Sequence, residues 1–168
     1  EYKLVRTEGA FNNSKVVSVA FPSSVKYVVD DFKYCMELQT VTFPENSRLR
    51  FFSAMEGCPK LTEFVFPASL QVLYGNSMMY LDGLKTIDIP GSVSYIGAYT
   101  FVKVSLTEVT AHWICPPKML PNDVFITKSN PRIRVPVGAK KYYEASDAWN
   151  KFEIVEDETV EAFVKVYT

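Results

Sequence analysis

The chain has 168 residues, of which 48% are hydrophobic and 22% charged, and this balance predicts one folded domain, residues 1–168, with a sizeable core. Eighteen basic and nineteen acidic residues give a net charge of −1, which excludes the strongly basic class of nucleic-acid-binding proteins. The longest uncharged run, residues 64–81, contains proline, glycine and several polar residues, so the sequence predicts no membrane span.

A short phrase, apolar-x-apolar-Pro, recurs along the first half of the chain. Its copies are Val19–Pro22, Val41–Pro44, Phe64–Pro67 and Ile87–Pro90, so the prolines are 22 or 23 residues apart. Alternating apolar positions predict a half-buried strand, and the proline predicts the turn that ends it. A fixed period of this length is typical of a solenoid, in which each short unit stacks on its neighbours.

Further apolar positions repeat with the phrase. A leucine comes three residues before the first strand residue in four copies, at Leu38, Leu61, Leu84 and Leu106, and we expect these leucines to point inward. After each proline we expect the chain to return through a loop or a short helical turn. Cys35 and Cys58 share one repeat position, and we interpret them as small buried residues on successive coils rather than as a disulfide or metal pair. We also expect Cys115 to be buried and unreactive.

The register extends towards the C-terminus. His112 stands where the fifth proline would be, and Ile133–Pro136 forms a sixth phrase, which together predict five to six coils. We divide the chain into regular repeats (14–112), an irregular last coil (113–136), a C-terminal cap (137–155) and a tail strand (156–168). Within the cap, Gly138 to Trp149 predicts a short helix with Tyr142, Ala145 and Trp149 on one face.

Three of these segments carry a family resemblance. The phrase from Leu84 to Phe101, the spacing Phe32-x-x-Cys35-x-x-Leu38 and the segment 135–152 together resemble the BspA-like leucine-rich repeat family of bacterial surface proteins, over about residues 14–155. The resemblance implies a right-handed leucine-rich-repeat solenoid, mainly β or α/β, with a parallel sheet on its concave face. It also implies a secreted or surface-anchored location and a role in adhesion or host-protein binding, and it supplies no catalytic residues. Since the chain begins at Glu1 rather than Met, we expect that a preceding segment was removed or trimmed.

The candidate binding residues are the outward positions of the predicted strands. They form two ladders on the concave sheet, which contain Thr40, Thr42, Glu63, Val65, Thr86, Asp88, Glu108, Thr110, Arg132 and Arg134. The strip is mostly small and acidic, with a basic end if the two arginines join it. We interpret it as a docking strip for a protein partner. The alternatives are a solvated sheet face on a structural spacer domain, since threonine is a common exposed strand residue, and a carbohydrate-binding surface.

The remaining chemical groups do not combine into a catalytic site. His112, the only histidine, lacks a nucleophile and an orienting group in the sequence, so we expect neither enzymatic activity nor a cofactor. The acidic runs Asp30-Asp31 and 156–158 lack the spacing of a calcium loop, and we interpret them as solvated charges. Aromatic residues follow successive strands, and we expect them to pack between coils rather than to form an external platform; they are Tyr27, Phe51, Tyr74 and Tyr95.

Overall fold

The protein is a solenoid of about seven turns built almost entirely from short parallel strands. The structure, a computed structural model, describes residues 3–117, 124–127 and 129–163. In chain order the elements are β1 (Arg6–Glu8), β2 (Ser18–Ala20), β3 (Tyr27–Lys33), β4 (Thr40–Thr42), β5 (Phe51–Glu56), β6 (Val72–Leu73), β7 (Met78–Met79), β8 (Thr86–Ile89), β9 (Tyr95–Ile96), β10 (Phe101–Val102), β11 (Glu108–Ala111), β12 (Phe125–Ile126), β13 (Arg132–Val135), α1 (Lys140–Glu144) and β14 (Ile154–Glu156).

The repeated phrase forms the front sheet, which consists of β2, β4, residues 63–66, β8, β11, β13 and β14. Strand β2 pairs with β4, and β8, β11, β13 and β14 pair in that order, while Val65 forms a single bridge to Asp88. The predicted sheet of parallel phrase strands is therefore confirmed. It comprises six strands and the single bridge at Val65, so seven coils contribute to it, one more than the highest predicted count, because Ile154–Glu156 adds a strand beyond β13.

A second sheet, the back sheet, returns the chain from each front strand to the next. Its strands β1, β3, β5, β6 and β9 pair in that order, and β7 pairs with the far end of β5. The expected return through loops or helical turns is wrong for these coils. The physical reason is that the apolar residues after each proline stack on their copies in neighbouring coils, which lets their backbones pair in the same parallel manner.

Each phrase proline starts the turn that leads from the front sheet to the back sheet. Its carbonyl accepts a hydrogen bond from the N–H three residues later, for example Val25 to Pro22 at 3.2 Å and Leu70 to Pro67 at 3.0 Å. Since proline has no N–H of its own, it ends the ladder without leaving a buried donor unpaired. The turn type and the strand end are thus set by the same residue.

The core lies between the two sheets. The leucine ladder is completely buried, as are Cys35 and Cys58 at their shared repeat position, which confirms the predicted inward positions. At the C-terminal end the core closes on an aromatic cluster that contains Trp113, Trp149 and Phe125, with ring centroids 5.1–6.3 Å apart. Aromatic rings of this size cover the last coil efficiently because each buries a large apolar surface.

The helical part of the predicted cap is shorter than expected. Helix α1 ends at Glu144, and the side chain that it buries is Tyr143. Tyr142, expected on the inner face, is 41% exposed. Tyr143 instead donates a hydrogen bond to the Trp113 carbonyl at 3.1 Å, and burial raises the pKa of its phenol. Of the predicted tail strand, residues 157–163 have no strand, and residues 164–168 lie outside the described residues.

Candidate functional site

The ten candidate residues lie where the repeat predicted them, in two ladders on the front sheet. Register places Thr86 opposite Glu108 and Glu108 opposite Arg132, while Asp88 lies opposite Val65 on one side and Thr110 on the other. Thr40 lies opposite Ser18, and Thr42 lies opposite Ala20. Side chains two residues apart on a strand share one face, so all ten point away from the core.

The two halves of this strip differ in how many of their side chains are exposed to solvent and how many form internal ion pairs. Thr42, Glu63, Val65 and Thr86 are exposed and make no side-chain hydrogen bond or ion pair with the described residues. Val65 is 74% exposed, the largest value among the exposed large hydrophobic side chains. The N-terminal half of the strip is therefore an open surface.

The C-terminal half is closed by internal ion pairs. Arg134 donates to Glu108 at 3.2 Å and to Asp157 at 2.7 Å, and Arg132 lies 3.5 Å from Glu153. Hydrogen bonds from Thr159 and then from Arg134 lower the pKa of Asp157 to about 2. The basic end expected for the strip is consequently neutralised, because the last coil and the tail supply the carboxylates.

His112 holds the tail against the front sheet. Its Nε2 lies 2.9 Å from a carboxylate oxygen of Asp88, and its Nδ1 lies 2.7 Å from the Glu161 carbonyl oxygen. The imidazole thus links strand β8 to the tail through its two ring nitrogens. The interpretation that His112 merely replaces a proline was too narrow.

The tail crosses the coils beside these contacts. The Phe163 N–H donates to the His112 carbonyl at 2.8 Å, and the Phe163 side chain lies directly over Gly91. The tail groove next to it, about 520 Å³, is bounded by Val65, Asp88 and residues 161–163. Its described lining includes His112 and the acidic residues Asp88 and Glu161, and it has no serine, threonine, cysteine or lysine.

A second depression, the seam groove, separates coils two and three on the front sheet. It is about 400 Å³ in volume and lies between residues 40–45 and residues 63–68. Its floor is aromatic, since Phe43 and Phe64 meet edge to face with centroids 6.3 Å apart and Phe66 lies 4.8 Å from Phe64. The seam groove and the tail groove share Val65, Phe66 and Ala68, so the two depressions adjoin.

Sequence reasoning missed both grooves and the tail contacts. The available signal for the seam groove was the bulk of Phe43, Phe64 and Phe66 at phrase positions that hold isoleucine, valine or alanine in the fourth to sixth copies. No repeat position signalled the tail, because residues 157–163 lie outside the period.

Two expectations about isolated polar groups were wrong. Asp31 is completely buried, where its carboxylate accepts hydrogen bonds from the Thr7 hydroxyl and from the Ala10 N–H, so it is not a solvated charge. Asp30 remains exposed and pairs with Lys33. Cys115, expected to be buried, is exposed. The proline-rich segment that contains it does not follow the repeat, so the inward alternation does not apply there.

The aromatic column expected between coils lies on the outer side of the back sheet. Tyr27 and Tyr74 are 39% and 52% exposed, and Phe51 and Tyr74 make a tilted contact at 5.5 Å. Their outward direction follows from the strand alternation, because the neighbouring Val28 and Phe52 fill the core. Phe51 and Tyr74 thus make the expected contact between neighbouring coils, but the column faces outward, and Tyr27 and Tyr74 remain exposed.

The described residues contain no group of three or more acidic, histidine and cysteine side chains arranged to hold a metal ion. In residues 3–117, 124–127 and 129–163, no helix has the length and apolar character needed to cross a bilayer.

Comparison with known families gives one match. The model of the BspA type leucine-rich repeat region matches residues 7–128 in six copies. No curated protein matches the chain. Repeats of this type are generally found in surface or secreted proteins, they suggest a protein-interaction or repeat module, and their solenoid is typically non-catalytic.

Proposed function

Because the chain belongs to the BspA type leucine-rich repeat family, we propose that it is a non-catalytic adhesion module of a secreted or surface-exposed bacterial protein. In this proposal the partner is a host extracellular protein, which binds the front sheet. Solenoids use such repeated sheet faces as extended binding surfaces.

One observation carries the proposal: the N-terminal half of the front sheet is left uncovered. The tail occupies the coils around His112 and Arg134, whereas Thr42, Val65 and Thr86 keep their side chains in solvent. Val65 is the exposed apolar side chain of this strip, and it adjoins the aromatic floor of the seam groove.

A capture experiment tests the proposal. The purified chain is immobilised and exposed to a soluble extract of mammalian extracellular matrix, and bound proteins are quantified by mass spectrometry. The test variant carries Ala20→Lys and Thr86→Lys, two exposed front-sheet positions. The matched control carries Tyr27→Lys and Tyr74→Lys on the back sheet.

We expect the front-sheet variant to lose the captured proteins and the back-sheet variant to retain them, with both variants folded by circular dichroism. Retention by the front-sheet variant together with loss by the back-sheet variant would reject the front sheet as the binding surface.

Carbohydrate binding is the second candidate, and the exposed back-sheet tyrosines favour it. Tyr34, Tyr74 and Tyr99 are 44–52% exposed, and aromatic rings in this setting can stack on sugar rings. Binding of the parent to a glycan array, abolished by Tyr74→Ala but not by Thr86→Lys, would support this candidate over the first.

A further inference from the structure

The front sheet is split at one position, between coils two and three. Strand β4 pairs with β2, and Val65 bridges forward to β8, but within the described part of the chain no backbone hydrogen bond joins residues 40–43 to residues 63–66. The back sheet continues through the same two coils, where β5 pairs with β6. The coils therefore separate at the front only.

The phenylalanines of the seam groove pack differently at this separation. Phe43 meets Phe64, which stands two residues before its phrase counterpart Phe66, edge to face with ring centroids 6.3 Å apart. By contrast, Phe21 and Phe43 stack nearly flat at 5.2 Å, and there β2 and β4 stay paired. The phenylalanine contact is thus flat and in register where the backbones pair, and diagonal and edge to face where they do not.

The split leaves a strand edge without a partner. Thr40 and Thr42 direct their backbone groups to the β2 side, where Thr40 donates to Val17 and Phe21 donates to Thr42. Successive residues of a strand direct these groups to opposite sides, so the groups of Val41 and Phe43 face the seam groove. Unpaired edge groups of this kind bind an added strand.

The walls of the seam groove also indicate which side chains an added strand would carry. Val65 and the phenylalanine floor offer apolar contact, and the rim carries Glu45 and Glu63. Neither glutamate has a cationic partner among the described residues, and the described lining includes no lysine or arginine. The groove is therefore complementary to a segment that alternates apolar and basic side chains.

We propose that the seam groove binds an extended segment of a partner protein by strand addition to the edge of β4, with apolar side chains against the phenylalanine floor and basic side chains on the outward face beside Glu63. The inference rests on the proposed function, since it specifies what kind of segment the front sheet would bind.

The test uses a fluorescent six-residue peptide that alternates valine and lysine, titrated with the intact chain at low salt and followed by fluorescence anisotropy. One comparison peptide replaces lysine with glutamate, and another carries N-methyl groups on one backbone edge. We expect each change to weaken binding about tenfold, because the first reverses the charge and the second removes the edge hydrogen bonds. Equal binding of the N-methylated peptide, or no saturable binding of the valine–lysine peptide, would overturn the proposal.

Two surface variants locate the binding. Val65→Lys should weaken the valine–lysine peptide about tenfold, whereas Ile126→Lys, an exposed apolar residue on a different sheet, should not. Hydrogen exchange supplies a second readout, since the peptide should protect the Phe43 amide while the Phe21 amide, already bonded to Thr42, stays unchanged. Equal weakening by both variants would refute the location.

The failure of this inference is distinguishable from failure of the proposed function. If the Ala20→Lys and Thr86→Lys variant loses matrix proteins while the peptides do not bind, the front sheet functions without strand addition. If sedimentation instead shows a dimer of the parent that Val65→Lys abolishes, a second copy occupies the groove and the partner-segment proposal is wrong.

Discussion

Replacing Gly91 with alanine tests whether the tail is held to the front sheet by close contact. A Cβ atom at Gly91 would lie 1.9 Å from the Phe163 Cβ and 3.2 Å from the His112 carbonyl oxygen. Gly91 does not have a left-handed φ, so alanine suits its backbone and the conflict is steric. We expect the tail to move, because residues 157–163 are not paired in a strand whereas the coil is.

The expected magnitude follows from what Phe163 buries. Phe163 is 44% exposed. If an aromatic side chain can bury roughly 200 Å², the tail removes about 110 Å² from water, which contributes about 3 kcal/mol. Its N–H donates to His112 at 2.8 Å, worth about 1 kcal/mol, and ordering the residue costs about 2–3 kcal/mol. The net stabilisation is about 1–2 kcal/mol.

The assay is hydrogen exchange at the Phe163 amide. Loss of about 1–2 kcal/mol corresponds to a 5- to 30-fold loss of protection there, with the front-sheet amides unaffected. Phe163→Ala should reproduce most of this loss. Gly138→Ala serves as a strain control, since an added Cβ there meets nothing within 4 Å but the φ of +85° disfavours alanine; it should lower overall stability without a selective loss of protection at Phe163. Unchanged protection in Gly91→Ala would refute the assigned tail contact.

The remaining predictions concern the core, the tail and the thiols. Ile87→Asp should lower the free energy of unfolding by about 3 kcal/mol or more, because Ile87 is 3% exposed. The control variant Val65→Asp, on the outer face, should change the free energy of unfolding by less than about 0.5 kcal/mol. Equal urea midpoints for the two variants would contradict the inward assignment of Ile87. Asp157 has a folded-state pKa below its ordinary value of 3.8, so its contribution to stability is present above that value and is lost as the pH falls towards about 2. Asp157→Asn should therefore be less stable than the parent at pH 7 and equal to it near pH 2, and a difference independent of pH in urea titrations would oppose this. A thiol reagent at pH 8 should label one cysteine rapidly, Cys115, since burial raises the pKa of Cys58 to about 12; persistence of the fast reaction in Cys115→Ser would show that the assignment is wrong.

The front sheet could be predicted because one repeated phrase indicates both how far apart its strands lie in the sequence and which of their side chains point inward. In Leu84-x-x-Ile87-x-Ile89 the buried and exposed positions alternate, and parallel stacking then fixes which residues become neighbours. The strand of the seventh coil escaped prediction because Ile154–Glu156 ends in a glutamate rather than in a proline. The repeat identifies units that resemble one another, and this last unit lacks the proline that ends the phrase in most of the others.

The contacts that decide which candidate residues are exposed could not be predicted from the repeat. Arg134 is an outward strand residue by its position, but its partner Asp157 lies beyond the repeat. At the seam, Phe43 packs diagonally against Phe64 rather than in register, which the residue types alone do not specify. Both depend on packing between dissimilar segments, whereas the repeat records packing between similar ones.

The seam also has a mechanical consequence. A rod of this kind resists bending through hydrogen bonds on two sides, but between coils two and three the backbone pairing lies on the back sheet, where β5 pairs with β6 and β7. A bending force on the solenoid would act mainly at this boundary, where the back sheet would be the hinge and the phenylalanine contacts would be strained. The solenoid is thus most compliant where residues 40–45 face residues 63–68. A surface protein under shear would flex first at this boundary and change the width of the groove as it does so.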